Sequence, residues 1–203
     1  MTPRLYIARI DQALEADERT FSAYRLDRLR NAASPKRRAE GISAERLLLY
    51  ALRDVDPGME LPPVIRTEEQ GRPVLADSPL WFSLSHSGDF CACALCGSPV
   101  GADIQRIVPM DRRVMERKLS AAEREYVLDS ENMDAAFTRV WTMKESLLKA
   151  FGIGLTRPLS EFCTFYADAG FKTGEHEGHM YSICVSGMDA ANADIKFIPS
   201  DAI

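Results

Sequence analysis

Residues 81–105 read WFSLSHSGDFCACALCGSPVGADIQ. Two turn clusters, Ser87-Gly88-Asp89 and Gly97-Ser98-Pro99, divide this stretch into apolar runs at 81–85, 90–95 and 100–104. Runs of that length between such turns predict three short strands. Upstream, residues 5–10 alternate in part and predict a first strand. Helical spacing follows at 15–30, with Phe21, Tyr24 and Leu29 on one face. Ser43 is placed as the N-cap of a second helix, whose stripe is Leu47, Leu48, Ala51 and Leu52. Asp56-Pro57-Gly58 ends that helix, Leu61-Pro62-Pro63 is extended, and a strand is expected around Val74.

Downstream of the quoted stretch, Ser120 and Glu123 form a capping-box pattern that starts a helix near Ala121. Residues 134–151 carry the strongest helical pattern, stopped by Gly152. Strands are predicted at 162–166, 180–185 and 194–198. Shifting the chain by about 91 residues sets Phe90 on Tyr181, Cys93 on Cys184 and Ala102-Asp103-Ile104 on Ala193-Asp194-Ile195. The expected fold is therefore α+β, in two similar halves spanning 1–102 and 103–203.

Composition narrows the class. The chain has 203 residues, 46% apolar and 27% charged, with a net charge of −5. That is enough apolar surface to offset the entropy of ordering, which argues against disorder. Runs such as 47–52 and 91–96 are too short to span a bilayer. No leader pattern opens the sequence and the five cysteines are an odd set, so a cytoplasmic protein with reduced thiols is expected. Charge is uneven: residues 19–53 hold nine basic and three acidic side chains, whereas residues from 160 onward hold two basic and seven acidic ones. A basic segment in an acidic protein reads either as a solvated helix face or as a contact for a phosphate-rich ligand or acidic protein.

Three clusters could carry chemistry. On the 134–151 helix, Trp141, Glu145 and Lys149 lie four apart on one stripe. A carboxylate and an ammonium one turn apart could hold a metal and a phosphate side by side; alone they read as a surface ion pair contributing ~0.3–0.5 kcal/mol. Asp103 lies in the strand Gly101-Ala102-Asp103-Ile104-Gln105, pointing opposite to Ala102 and Ile104, with Gln105 set on their side. A carboxylate in an apolar strand calls for a partner or a ligand, and Mg²⁺ takes one or two carboxylates plus phosphate oxygens. Ser83, Ser85, His86 and Ser87 gather donors at a strand end before a glycine turn, and donors of this kind suit phosphate or simple turn chemistry. A Ser–His hydrolase is disfavoured, since no Gly-x-Ser-x-Gly elbow is present. Cys93 and Cys96 read as core, and His176-Glu177-Gly178-His179 as a hairpin tip. No P-loop occurs.

Gly71-Arg72-Pro73, Phe82-Ser83-Leu84-Ser85-His86-Ser87, Gly101-Ala102-Asp103-Ile104-Gln105, Trp141-Thr142-Met143-Lys144-Glu145-Ser146-Leu147-Leu148-Lys149-Ala150 and Gly152-Ile153-Gly154-Leu155 occur in this order. In that order and spacing they resemble the motifs of the Sfp-type 4′-phosphopantetheinyl transferase family. The resemblance covers residues 46–155 and implies two pseudo-symmetric halves with the site between them. It implies transfer of phosphopantetheine from coenzyme A to a serine of an apo acyl or peptidyl carrier protein, releasing 3′,5′-ADP. By the same resemblance Asp103, Gln105 and Glu145 hold Mg²⁺ and Glu145 is the base. Lys149 neutralises the transferring phosphate, Ser85 and His86 meet the pyrophosphate, and Arg46 and Arg72, with Arg37 or Arg38, grip the 3′-phosphate. Phosphoryl transfer needs positioning and charge neutralisation more than a protein nucleophile, which suits this residue set. A monomer is expected, with neither nucleic acid nor membrane as partner.

One departure stands out. The family often carries Glu where this chain has Gln105, and a neutral amide binds Mg²⁺ more weakly. Two further readings follow: a catalytically impaired relative that binds coenzyme A or a carrier protein, and a metal-dependent nucleotide pyrophosphohydrolase.

Overall fold

The computed structural model describes residues 1–11, 15, 19–154 and 158–203. In chain order its elements are β1 (Arg4–Arg9), α1 (Ala23–Arg30), α2 (Pro35–Val55), β2 (Ile65–Thr67), β3 (Pro73–Leu75), β4 (Trp81–Ser87), β5 (Phe90–Cys96), β6 (Val100–Arg106), α3 (Arg112–Lys118), α4 (Ala121–Leu128), α5 (Met133–Phe151), β7 (Ala169–His176), β8 (His179–Ser186) and β9 (Asp194–Ile198).

Strand β5 shows how the layers arise. Every residue in it is buried, because its two faces have different partners. Cys91, Cys93 and Leu95 pack with Leu47, Leu48, Ala51 and Leu52 of α2. Phe90, Ala92, Ala94 and Cys96 pack instead with Val100, Ala102 and Ile104 of β6 and with Ile183 and Val185 of β8. The period-2 alternation of the strand thus joins a helix on one side to a second sheet on the other. On the outer face of that second sheet lies α5, with Leu147 and Ala150 against Cys184. The order is helix, sheet, sheet, helix. A fully buried Leu in such a layer contributes roughly 1.5–3 kcal/mol.

The halves repeat one plan. The first sheet runs β4-β5-β1-β9 and the second β6-β8-β7. In each, an opening strand (β1 or β6) precedes a long helix (α2 or α5) and pairs antiparallel with the second strand of a later hairpin (β4-β5 or β7-β8). Phe90 and Tyr181, matched by the 91-residue shift, fall on the equivalent central strands β5 and β8. The fold is α+β with two pseudo-symmetric halves. The expected boundary after residue 102 falls inside β6, and β9 leaves the second half to pair parallel with β1.

Side chains rather than backbone join β4 to β6. The hydroxyls of Ser83, Ser85 and Ser87 accept from the N–H groups of Ala102, Ile104 and Arg106 at 3.0, 3.3 and 3.1 Å. Alternate residues of β4 face one way, so three serines spaced two apart satisfy the free edge of β6. Helix α5 approaches the same strand closely at Gly101. A Cβ there would lie 1.9 Å from Ser146 O and 2.6 Å from Ala150 N. Gly101→Ala is expected to destabilise by about 1–3 kcal/mol. An unchanged urea midpoint would show that α5 can withdraw freely.

Several elements differ from expectation. Residues 164–166 form a 3-10 turn instead of part of a strand at 162–166, and the strand lies at Ala169–His176. Local β-propensity is overridden there because Glu123 accepts from Thr164 N–H and Lys144 donates to the Leu159 and Phe162 carbonyls. The cap of helix α2 lies nine residues before Ser43, at Ser34, with Pro35 in the first turn. Ser43 is buried mid-helix and its hydroxyl accepts from Asp11 N–H. Helix α1 begins at Ala23, capped by Ser22; residues 16–18 of the helix expected at 15–30 lie outside the described residues, as does Leu155. Helix α3 was not anticipated. The capping box at Ser120 and the left-handed stop at Gly152 occur as read, and the 176–179 tip joins β7 to β8. Among the described residues no helix is long and apolar enough to cross a membrane. All five cysteines are unpaired.

Candidate active site

Between the halves opens a cleft of about 560 Å³. Its lining comes from β4 (Ser85, His86), β6 (Asp103, Gln105), α5 (Glu145, Lys149), the loop before β3 (Arg72) and α1 (Arg25, Arg28). Of the residues singled out in the sequence, the structure gathers Arg72, Ser85, His86, Asp103, Gln105, Glu145 and Lys149 here. Arg46 is not among them. It faces away on α2, donating to the carbonyls of Ile203 and Glu15 beside Leu49, Tyr50 and Arg53. Arg38 donates to the Leu29 carbonyl, and Arg37 lies 3.8 Å from Glu40.

Asp103 is the hub. It is 2% exposed; Oδ1 accepts from Ser85 Oγ and Lys149 Nζ, both at 2.7 Å, and Oδ2 accepts from Gln105 Nε2 at 3.1 Å. Gln105 therefore shares the face of Asp103 rather than that of Ala102 and Ile104, as residues two apart on a strand must. Lys149 also donates to the Ala102 carbonyl. Ser85 is held at both ends, accepting from β6 and donating to Asp103.

Glu145 sits one turn before Lys149 on α5. Burial raises its pKa, the nearby Asp103 charge raises it further, and Lys149 and Lys118 only partly oppose this. Asp103 and Glu145 line one cleft with the Gln105 amide beside them, a donor set that suits a hard divalent cation. Among the described residues no third carboxylate, histidine or cysteine completes a larger cluster.

Cationic groups ring this pair. The Arg72 guanidinium stacks over Trp81 at 4.4 Å and donates from Nη1 to the Ala150 carbonyl at 2.9 Å, closing the end of α5. Its Nη2 is buried without a partner, and burial lowers its pKa. Gly152, at φ +68°, turns the chain beneath this guanidinium; a Cβ there would lie 3.1 Å from Arg72 Cδ. Arg25 donates from Nε to buried Glu45 at 3.2 Å, and Arg28 lies over Tyr24. Whereas Arg46 lines a different surface, Arg25 and Arg28 line the cleft. Their spacing on α1, three apart beside Tyr24, is the sequence signal that could have found them.

The site is thus a cleft at the junction of two like halves, lined by residues that suit a divalent cation and an anion side by side. A family model of the 4′-phosphopantetheinyl transferase superfamily matches residues 99–192. The 4′-phosphopantetheinyl transferase psf-1 of Bacillus pumilus is 38% identical over 54% of this chain and 48% of its own length. Sfp of Bacillus subtilis is 36% identical over 47% and 44%. The transferase AcpT of Salmonella typhi is 36% identical over 66% of this chain and 70% of its own. The chain belongs to the 4′-phosphopantetheinyl transferase superfamily, and its match spans about half the length of the two Bacillus relatives. The solved holo-[acyl-carrier-protein] synthase of Thermotoga maritima aligns with 43% of this chain and 61% of its own, at 17% identity and a TM-score of 0.37.

Proposed function

We propose that this chain transfers 4′-phosphopantetheine from coenzyme A to a serine hydroxyl of an apo carrier protein, releasing 3′,5′-ADP. The observation that carries the reading is the single cleft in which two carboxylates, Asp103 and Glu145, meet Lys149, His86 and Arg72. The incoming serine oxygen bonds to the phosphorus that carries pantetheine, and the bond from that phosphorus to 3′,5′-ADP breaks. Glu145, its pKa raised by burial, takes the serine proton. Lys149 exchanges Asp103 for the transferring phosphate and neutralises its charge. Arg72, Arg25 and Arg28 bind the remaining phosphates, His86 donates to the pyrophosphate, and Ser85 orients Asp103. Asp103 and Glu145, with Gln105 at the side, would hold Mg²⁺; when bound, that ion supplies charge neutralisation at the pyrophosphate. The five unpaired thiols suit the reducing cytoplasm, and two halves that already enclose the cleft suit a monomer.

Intact-mass spectrometry tests this. An apo acyl carrier protein incubated with the chain, coenzyme A and Mg²⁺ is expected to gain one phosphopantetheine group, and EDTA is expected to abolish the gain. Coenzyme A binding without any gain across several carrier proteins would favour an impaired relative. Release of 3′,5′-ADP with no carrier protein present would favour a pyrophosphohydrolase.

A further inference from the structure

Glu40 of α2 is a buried carboxylate whose bonding is incomplete. It is 5% exposed, and its Oε2 accepts no hydrogen bond. Around it lie His86 Nδ1 at 3.4 Å, Arg37 Nη1 at 3.8 Å and, from Oε1, Lys36 Nζ at 4.0 Å. The same helix shows what a completed buried glutamate looks like. Glu45 accepts from Ser22 N–H and Oγ–H at 2.9 and 2.6 Å, and from Arg25 Nε. A buried carboxylate lacking such partners costs stability unless another state of the protein supplies them.

His86 is the group whose change of state would do so. Its Nδ1 faces Glu40 while the ring lines the cleft, which leaves Nε2 for a ligand. A neutral imidazole carries one N–H and cannot donate to Glu40 and to a phosphate together; an imidazolium can. Burial lowers the pKa of His86, Glu40 raises it, and Arg37, Lys149 and Arg25 lower it again. Across from it on β5 stands Cys91, whose thiol burial pushes up to about 12 and keeps neutral. An arriving phosphate offsets the three cations and leaves Glu40 to act on the ring.

We propose that phosphate binding in this cleft draws one proton from solvent onto His86, whose Nδ1–H then goes to Glu40 and whose Nε2–H goes to the ligand. Glu40 is thereby a positioning residue, acting on the ligand only through His86. The inference rests on the coenzyme reading above and adds a proton to the binding equilibrium.

The test is an NMR pH titration of the full chain with carbon-labelled histidine, the His86 signal being identified by its loss in His86→Gln. Bound coenzyme A is expected to raise the His86 pKa by at least about one unit, and Glu40→Gln to lower it in the free protein. Coenzyme A should bind Glu40→Gln about tenfold more weakly near pH 8, with the gap closing at a pH low enough to charge His86 in the free protein of both variants. A merely structural Glu40 would lose affinity equally at both pH values. The variant should melt no lower than the wild type, since the amide removes an unsatisfied charge; Glu40→Asp serves if it fails to fold. A His86 pKa indifferent to Glu40→Gln or to bound ligand would overturn the proposal. If coenzyme A fails to bind while inorganic pyrophosphate still raises the His86 pKa, the coenzyme reading falls and the pair stands. If neither binds, both fall.

Discussion

Asp103→Asn is expected to lower kcat/KM for transfer by about a thousandfold or more while leaving the fold intact. The substitution keeps the shape of the side chain and removes its charge. With that charge gone, the cleft loses one of the two carboxylates that could hold a divalent ion, and Glu145 loses the neighbour that helps raise its pKa. Lys149 keeps the Ala102 carbonyl and Ser85 keeps Ile104 N–H, so the seam between β4 and β6 stays closed. The stability change should be modest, because the amide keeps an oxygen that can still accept from Ser85 or Lys149. Initial rates across a Mg²⁺ titration, set beside a thermal melt, separate the two roles. A variant that transfers at near the normal rate would mean that Asp103 only staples β4 to α5.

Lys144→Met is expected to produce the largest loss of stability, about 3–5 kcal/mol. Lys144 adjoins Glu145 in sequence but faces the other way, and it is fully buried. Its Nζ donates to Glu123 at 2.8 Å and to the carbonyls of Leu159 and Phe162 at 2.7 and 2.6 Å, and it lies over the Phe162 ring. Burial alone would raise the pKa of Glu123, but the bonds from Lys144, Thr164 and Ser120 outweigh it and hold the carboxyl below its usual range. That contribution to stability is present above the unfolded-state pKa and is lost as pH falls through the lower folded-state value. Removing Lys144 alone leaves a buried, unpaired charge. The melting temperature should fall by about 10 °C. Adding Glu123→Gln should restore part of the loss, since neither charge then remains while the amide oxygen can still accept from Thr164 or Ser120. A single variant within about 1 kcal/mol of the wild type would show that water or a rearranged chain compensates Glu123.

What the sequence made legible follows from local periodicity. Asp103 between two apolar neighbours, and Glu145 with Lys149 one turn apart, were readable because strand and helix spacing alone decide which side chains share a face. The same rule, applied wrongly to Gln105, put it on the opposite side. Arg46 was misplaced for a different reason. Most of the middle of α2 is buried, so a short apolar stripe could not establish which way each arginine turned, and the true start at Ser34 lay well before the expected cap. Residues 162–166 look like a strand by composition, but their structure is decided by Glu123 and Lys144, far away in sequence. Such contacts leave no periodic trace.

The pairing of β9 with β1 has a consequence for biosynthesis. As the chain emerges from the ribosome, β1 meets β5 early, yet its other edge finds its partner only after the whole second half and residues 194–198 have been made. Until then the nascent first half carries an open strand edge able to pair with the wrong chain. Pairing with β9 then covers β1 and moves the edge of that sheet outward to a five-residue strand.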